Sequence, residues 1–482
     1  MKKRILAASL AMLLLFASCG GEDVGENAQK ETTQAPITTT APETTAPPAD
    51  FGDYDFTVLT SYSDGDAAHS IFEDERNSAV INEKIAERNA AVEALLNVKI
   101  SEYSSADPLS ELSKDNLLTS GAFDAVVVSA SNSASLLSSA LLVDLNTLDE
   151  FDPEATYFDK AAIRDLSLGG KIFTVTGDLI NSSVGATSVV LCNTSLLSKL
   201  DIEKELGASL PELVEKGEWT LDAMTRASAL AVSHDKDEDE APLYRGFSGD
   251  TSSAYQLSVG LFGTVFEKDG HDIPLLNVNE EVFVDLLKKV ASLSLEEEKA
   301  EFSALFGSCY NLEPKAGEAL FAVSTLEEAA TLTREGLCFS VLPMPKDSPE
   351  QVYYASRVDL DNTCLAAIPA STSNAARSVA VLSALCEKAG DTSMAAYLTR
   401  FEKNCKHPGF EMMPTILASR KYDLGDLFGW GDFESLICES INDPELETSF
   451  PEAAGIRGLA AEKAMDIVLK RLLGENYKEE TR

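Results

Sequence analysis

The stretch FDAVVVSASNSASLLSSALLVDLNTL spans residues 123–148 and joins a short apolar run to a helical pattern. The run at 123–129 is rich in valine and has the length of a buried strand. Helical spacing begins at Ser133, after three polar or small residues. A buried strand that leads into a helix through a short loop is the repeating unit of α/β proteins. This stretch therefore predicts an α/β fold.

The same alternation continues on both sides of this stretch. The folded part, 53–482, is too long for one ordinary domain. Thr220 is predicted to cap a helix that opens at Trp219. Strands are predicted at 54–60, 97–103, 170–176, 188–192, 319–324 and 338–342, and further helices at 72–96, 109–119, 282–293, 377–388, 394–401 and 459–473.

The N-terminus carries the pattern of an export signal. Three basic residues, Lys2, Lys3 and Arg4, precede 13 almost purely apolar residues at 5–17, and Cys19 follows. Such a run is too short to span a bilayer as a helix and has the length of a signal-peptide core. The small residues before Cys19 resemble the lipobox of bacterial lipoproteins. We therefore expect a signal peptide at 1–18 and a lipid such as palmitate on Cys19.

The next segment, up to residue 52, is rich in Thr, Pro, Ala and Glu and lacks apolar periodicity. It is expected to be a disordered tether, because it has too little apolar surface to form a core. The chain has 79 acidic and 39 basic residues. This charge disfavours nucleic acid as a partner.

The eight cysteines include seven beyond Cys19, with no C-x-x-C pair and no Cys/His spacing typical of a metal site. We expect these seven to be free thiols, mostly buried, and we expect no metal and no cofactor. They lie at 192, 309, 338, 364, 386, 405 and 438.

Several segments together resemble extracellular solute-binding proteins of ABC importers, in the sugar-binding branch and its clostridial type. Each segment is weak alone, but they occur in the family's order over about residues 54–480. They are the L-L-x-D-L phrase at 141–145, GKIFTVTGD at 170–178, VVLCNTSLLSKL at 189–200, GEWTLDAM at 217–224, GEALFAVSTLEEAATL at 317–332, FSVLPMPK at 339–346 and GFEMMPTILASRKYDLGDLFGWG at 409–431.

The resemblance implies an α/β, two-lobed periplasmic-binding-protein-like type II fold with a ligand cleft between the lobes. We expect lobe 1 at 53–180 and 340–405, and lobe 2 at 185–335 and 408–482. The implied function is capture of a small solute, with a carbohydrate favoured, and delivery to an ABC permease. The protein would be a monomer held by its lipid at the outer face of the cell membrane.

Candidate ligand residues are polar groups that follow predicted strands, where α/β sheets bind ligands. In lobe 1 these are Ser129, Ser131 and Asn132 after one strand and Tyr62, between Ser61 and Ser63, after another. Short hydroxyl and amide side chains suit sugar hydroxyls, although Ser131 or Asn132 could instead cap a helix. Tyr62 could stack on a sugar or lie on the surface.

Four further candidates follow from the remaining motifs. Asp178 could accept hydrogen bonds from two hydroxyl groups, or could form a turn. Asp250 and Ser252 lie in a polar loop that precedes a helix. Trp430, between two glycines, could form a sugar platform or be buried, whereas Trp219 is expected to pack in the core.

Two other classes of function remain open at this point. A cell-surface enzyme that acts on glycosides would need two carboxylates, which so acidic a chain supplies without specificity. No G-x-S-x-G, H-E-x-x-H or P-loop motif supports catalysis. An adhesin-type lipoprotein would suit the tether, but such proteins are more often rich in β-structure. The preferred prediction is a non-enzymatic receptor.

Overall fold

The computed structural model describes residues 49–62, 70–233, 243–278, 280–293, 295–296, 300–309, 313–402 and 410–477. Its strands are β1 (Tyr54–Ser61), β2 (Val98–Ser105), β3 (Ala125–Ser129), β4 (Ser188–Cys192), β5 (Arg245–Ser248), β6 (Phe266–Lys268), β7 (Pro274–Leu276), β8 (Ala319–Thr325), β9 (Ser340–Leu342), β10 (Ser356–Arg357), β11 (Cys364–Ala367) and β12 (Arg420–Lys421).

Helices cover most of the remaining described chain. They are α1 (Ala79–Leu96), α2 (Pro108–Leu118), α3 (Ala130–Ser138), α4 (Lys160–Leu166), α5 (Asn181–Gly185), α6 (Thr194–Lys199), α7 (Ile202–Leu206), α8 (Leu210–Glu215), α9 (Leu221–Ser233), α10 (Thr251–Phe262), α11 (Glu280–Ala291), α12 (Phe302–Leu305), α13 (Leu326–Arg334), α14 (Ala375–Asp391), α15 (Ser393–Glu402), α16 (Met413–Ala418), α17 (Leu424–Phe428), α18 (Phe433–Ser440) and α19 (Leu446–Leu473). Among the described residues, no helix is long and apolar enough to cross a bilayer.

The first lobe is built on a sheet with the order β11-β3-β1-β2. β1 pairs in parallel with β2 and β3, and β11 joins β3 antiparallel. All five residues of β3 are buried, because helices cover both faces of the sheet. The carboxyl ends of β1 and β3 therefore lie at the same edge as the amino end of β11.

The second lobe is built on a sheet with the order β5-β8-β4-β9. β5 runs parallel to β8, and β4 runs antiparallel to both β8 and β9. The pairing of β9 corrects one expectation. Residues 340–342 were assigned to the first lobe, but Ser340 lies opposite Cys192 of β4 and therefore belongs to the second sheet.

Three chain segments cross between the sheets side by side. Thr187, just before β4, bridges to Val358, and Asp359 N donates to Ala186 O at 3.0 Å. β10 pairs with β12 through Ser356 and Arg420. These paired segments connect the two sheets of the α/β body.

Most predicted elements are present, with shifted ends. Residues 170–176 do not form a strand and make only isolated bridges, from Lys171 to Leu168 and from Val175 to Ala366. α3 begins at Ala130, because Ser129 already caps it. α19 begins at Leu446, well before residue 459, although Pro451 lies inside it. Packing of its buried side chains against α11 and α18 outweighs the cost of that proline.

Candidate functional site

Two of the predicted loops meet in the first lobe. Ser129 N donates to Ser61 Oγ at 2.9 Å, which joins the ends of β1 and β3. Ser129 Oγ accepts from Asn132 Nδ2 at 2.8 Å and lies 3.2 Å from Ser131 Oγ. Ser129 is buried and Asn132 half-buried, whereas Ser131 is exposed. These groups bond chiefly to one another, and the residue that caps α3 is Ser129 rather than Ser131 or Asn132, because its hydroxyl accepts from Asn132 N.

The aromatic candidate beside this loop is more open. The side chain of Tyr62 is 64% exposed, and its backbone N donates to Ser105 O at 3.0 Å. Ser63 lies outside the described residues. Tyr62 therefore remains a surface residue next to the paired strand ends.

Asp250 and Ser252 form a helix cap in the second lobe. Asp250 Oδ1 accepts from Ser252 Oγ at 2.6 Å and from both Ser253 N and Ser253 Oγ at 3.1 Å. The carboxylate thus satisfies the first turn of α10. Its position at the end of β5 agrees with the predicted loop. Its Oδ1, however, already accepts three hydrogen bonds from within the protein.

Asp178 lies apart from both loops, near the end of α14. Its backbone N donates to Tyr157 O at 3.0 Å. Burial raises the pKa of its carboxyl to about 6, Arg420 opposes this shift, and Asp391 adds to it. Asp178 lies in a turn in which Ile180 N donates to Gly177 O at 2.9 Å, and a turn is the alternative that the sequence left open.

Trp430 is not a sugar platform in this structure. Its side chain is 2% exposed, because Phe428 stacks on it at 4.7 Å and Phe266 meets it edge-on at 5.3 Å between ring centroids. The flanking glycines permit the tight turn rather than exposing the ring. Trp219 is also buried, and its Nε1 donates to Pro343 O at 2.9 Å.

The cysteines of the described residues are free thiols. Cys192, Cys338, Cys364 and Cys386 are buried, whereas Cys309 and Cys438 are half-buried. Burial raises the pKa of the Cys438 thiol to about 11, which keeps it protonated. Cys19 and Cys405 lie outside the described residues.

A cavity of about 490 Å³ lies between the lobes, and we call it the interlobe cavity. The first lobe contributes the chain before α1 and one face of α15. The second lobe contributes the end of β8 and the start of α13, and α5 of the first crossing segment forms the floor. The lining residues are Ser70, Arg76, Asn77, Ser78, Ile81, Asn181, Ser182, Gly185, Ala186, Thr325, Glu327, Glu328, Arg334, Asn362, Tyr397 and Arg400.

Several polar atoms of this lining are buried without a protein partner. Asn181 is 3% exposed, yet neither its Oδ1 nor its Nδ2 makes a hydrogen bond. The Ser70 hydroxyl and Asn77 Nδ2 are also buried without a hydrogen-bond partner. Buried polar groups are nearly always paired in folded proteins, and exceptions call for an explanation. A polar ligand in the cavity would supply the partners.

An ion pair links the two lobes along one wall of the cavity. Glu327 of α13 accepts from Arg400 Nη1 at 2.8 Å and from Tyr397 Oη at 2.7 Å, and Arg400 Nη2 completes a bidentate pair. Burial alone raises the pKa of Glu327, but Arg400 and Tyr397 lower it below its ordinary value. Gly185 permits this approach, because a Cβ there would lie 2.5 Å from Tyr397 Oη.

The charges around the cavity largely compensate each other. Arg76 pairs with Asp74, with Nε 2.8 Å from Oδ1, and Arg400 pairs with Glu327. Glu328 accepts from Ser324 Oγ at 2.8 Å. Donors and acceptors are therefore both available without a large net charge. Such a lining suits a neutral polyhydroxylated molecule better than a strongly charged one.

None of the eight residues predicted to bind ligand lines this cavity. The residues that do come from segments that the sequence marked only as structural. Thr325 and Glu327 lie within residues 317–332, one of the segments that resembles solute-binding proteins. That strand-to-helix junction could have been named as a candidate, whereas Asn181 and Arg400 carry no local signal of their own.

The architecture is that of the two-lobed solute-binding proteins, by comparison with solved structures. An extracellular solute-binding protein from Staphylococcus aureus, solved with maltose, has a TM-score of 0.56 at 11% identity, over 85% of this chain and 98% of that one. A galacto-N-biose/lacto-N-biose I-binding protein of an ABC transporter from Bifidobacterium longum has a TM-score of 0.51 at 13% identity, over 86% and 98%.

An uncharacterised protein from Listeria monocytogenes has a TM-score of 0.54 at 14% identity, over 86% of this chain and 100% of that one. No protein-family model matches the sequence, and no curated protein matches it either. At these identities the likeness concerns the fold. Function must be argued from the cavity.

Proposed function

We propose that this protein is an extracellular, lipid-anchored receptor that captures a small carbohydrate between its lobes and delivers it to an ABC permease. The observation that carries the proposal is the unpartnered amide of Asn181 in the interlobe cavity. A polar cavity at a boundary between lobes is a preferred place for a small ligand.

Binding is proposed to work by closing the lobes around the solute. The amide of Asn181 can donate to one hydroxyl group and accept from another, as sugars require. Ser70 and Asn77 add groups from the first lobe, and Thr325 adds a hydroxyl from the second. Hinge bending at the crossing segments would bring these walls together and give a shape that a permease can distinguish.

Anchoring is the second part of the proposal. A lipid on Cys19, followed by a tether to residue 52, would keep the receptor at the outer face of the membrane near its permease. The pattern of basic residues, apolar core and cysteine at 2–19 supports this part. Two permease genes beside the gene for this chain would add independent support.

A thermal-shift screen of residues 49–482 tests the binding proposal. The panel contains maltose, lacto-N-biose and galactose, with amino acids and spermidine as competing classes. A ligand at 100 times its Kd stabilises the native state by about 2.7 kcal/mol, so a true ligand raises the melting temperature measurably. Stabilisation by spermidine alone would contradict the carbohydrate assignment.

The same preparation tests the enzyme alternative. Chromogenic glycosides should not be turned over at a rate above that of a buffer control. Turnover that disappears when a single carboxylate of the cavity, Glu327 or Glu328, is replaced by its amide would show a glycoside-active enzyme instead of a receptor.

A further inference from the structure

A buried arginine stands behind the interlobe cavity. The buried face of α1 consists of Ile81, Ile85, Arg88, Val92 and Leu96, so one arginine occupies a position in an otherwise apolar stripe. Arg88 is 0% exposed. Among the described residues no carboxylate forms an ion pair with it. A buried charge without a counter-ion is costly, so its retention calls for a specific role.

Arg88 Nε and Nη2 donate to Asn89 Oδ1 of the same helix at 3.0 and 2.8 Å, and its other hydrogen bonds reach the chain before α1 and the start of α15. Nη1 donates to Ser70 O at 2.9 Å, and Nη2 donates to Ile71 O at 2.6 Å. Nη1 also donates to Ser393 Oγ at 3.2 Å, and Ser393 opens α15. Arg88 therefore connects α1, the chain before it and α15, and all three elements contribute to the cavity wall.

Ser70 has two unusual properties at this point. Its φ is +58°, a left-handed conformation that costs energy for a residue with a side chain. It is 1% exposed, it is one of the residues that line the cavity, and its buried hydroxyl has no protein partner. Backbone strain and an unpaired buried hydroxyl at one residue are typical of positions held for function.

We infer that Arg88 is a positioning residue of the solute site, which holds Ser70 in its left-handed conformation so that the hydroxyl is presented to bound solute. This inference rests on the proposed function for the role of the hydroxyl. The charge stays in the core because a guanidinium can bind two adjacent carbonyl groups and a third acceptor at once, which lysine or an apolar side chain cannot do.

Hydrogen exchange tests the positioning without any ligand. In Arg88→Met the amides of 70–78 should exchange at least 10-fold faster than in the unchanged protein, while those of β8 stay as they were. Arg377→Met is the matched control, because Arg377 is another arginine of the first lobe, stacked on Tyr54. Equal exchange at 70–78 in Arg88→Met and the unchanged protein would overturn the inference.

Affinity for the best-binding sugar of the panel tests the link to the site. Ser70→Ala and Ser70→Gly should each weaken binding about 5- to 10-fold, as expected for one hydrogen bond. Ser70→Gly should melt higher than Ser70→Ala, because only glycine adopts this φ without strain. Equal melting temperatures would count against the strained conformation, and unchanged affinities against the role of the hydroxyl.

A double variant separates positioning from general destabilisation. Arg88→Lys should keep the fold and weaken sugar binding, and adding Ser70→Ala should weaken it no further, because both changes remove the same contact. If the loss of sugar affinity in the double variant equals the product of the losses in the two single variants, the inference is overturned. If no panel member binds the unchanged protein, the proposed function fails for these sugars, and hydrogen exchange decides the positioning role alone.

Discussion

Two asparagines of this chain show how a single residue type takes different roles. Asn193 is fully buried and satisfied: its Nδ2 donates to Leu305 O at 3.3 Å and to Glu318 Oε2 at 3.0 Å. Its Oδ1 accepts from Ser195 N and Leu196 N, both at 3.1 Å. Asn181 is almost as buried and makes no side-chain hydrogen bond. The first amide links elements of the fold, and the second is the group that we propose binds the solute.

Asn181→Leu should therefore separate stability from binding. The unsatisfied amide costs free energy in the unliganded protein, so an apolar side chain of similar volume should raise the free energy of unfolding by about 1 kcal/mol. Binding of the sugar should fall by at least 10-fold. Calorimetric melting and titration of the purified body measure both quantities.

Asn193→Leu is the matched control for this change. It leaves the buried groups around Glu318 and α6 unpaired, so we expect a loss of about 3 kcal/mol in stability. A similar loss in Asn181→Leu would show that Asn181 has a structural role that its contacts do not reveal.

The contribution of Asp178 to folding stability should depend on pH and not on bound ligand. Its carboxyl has a pKa of 3.8 when free and about 6 in the folded protein, mainly because of burial. Protonation therefore favours the folded state, and this stabilisation is complete below about pH 4 and is lost as the pH rises through about 6. Above pH 7 the ionised carboxylate lowers stability.

Asp178→Asn should accordingly be more stable than the unchanged protein at pH 7–8, by about 1 kcal/mol once partial solvent exposure is allowed for. The difference should shrink as the pH falls from about 6 to about 4. Melting curves at five pH values measure this, and the exposed Asp149→Asn serves as the control. A fall in sugar affinity would instead support the ligand role predicted from the sequence.

Elements meet across the cavity at the ends of α13 and α15. Glu327→Gln keeps the size of the side chain but removes the charge that Arg400 and Tyr397 share between the lobes. We expect the unliganded protein to open further, with a larger radius of gyration by small-angle scattering. Sugar affinity should fall roughly 5- to 10-fold, because the closed state becomes less populated.

Glu447→Gln provides the comparison for this prediction. Its ion pair with Lys288 joins α19 to α11 at 2.5 Å within one lobe and is exposed to solvent. Surface pairs contribute little, so neither scattering nor affinity should change. If the two variants behave alike, the Glu327 pair does not control lobe opening.

Element prediction succeeded where the sequence pattern and burial agree. β3 and β4 are short, fully buried apolar runs, and Ser188–Cys192 was located to the residue. Residues 170–176 have a strand-like pattern, but only Val175 reaches a partner in the first sheet. Whether an apolar run forms a strand depends on a neighbouring strand, and that neighbour is distant in the sequence.

At the scale of the whole molecule, the N-terminal anchor is predicted to be independent of the folded body. Cys19→Ser should leave the protein unlabelled by radioactive palmitate and move it from the membrane fraction to the medium. The melting temperature should not change, because a segment with so little apolar surface is expected to add nothing to the core. Fractionation and fluorography of the expressing cells measure the first two effects.

A shortened protein that starts at residue 49 is the control for the Cys19→Ser variant. It should melt within about 1 °C of Cys19→Ser and bind the same sugar with the same affinity. Persistent membrane association of Cys19→Ser would contradict the lipid anchor, and loss of binding in the shorter body would show that the tether contributes to the site.

The sequence by itself determined the α/β class and the order of most elements, because buried strands and amphipathic helices leave periodic patterns that need no distant partner. The two lobes were implied by the resemblance to solute-binding proteins. Only the tertiary structure decided the site. The cavity is assembled from Ser70, Asn181, Glu327 and Arg400, which are separated by tens to hundreds of residues and meet where three crossing segments join the sheets. Whether an amide or hydroxyl is satisfied depends on those distant neighbours, so Trp430 lies in the core and the buried amide of Asn181 has no protein partner.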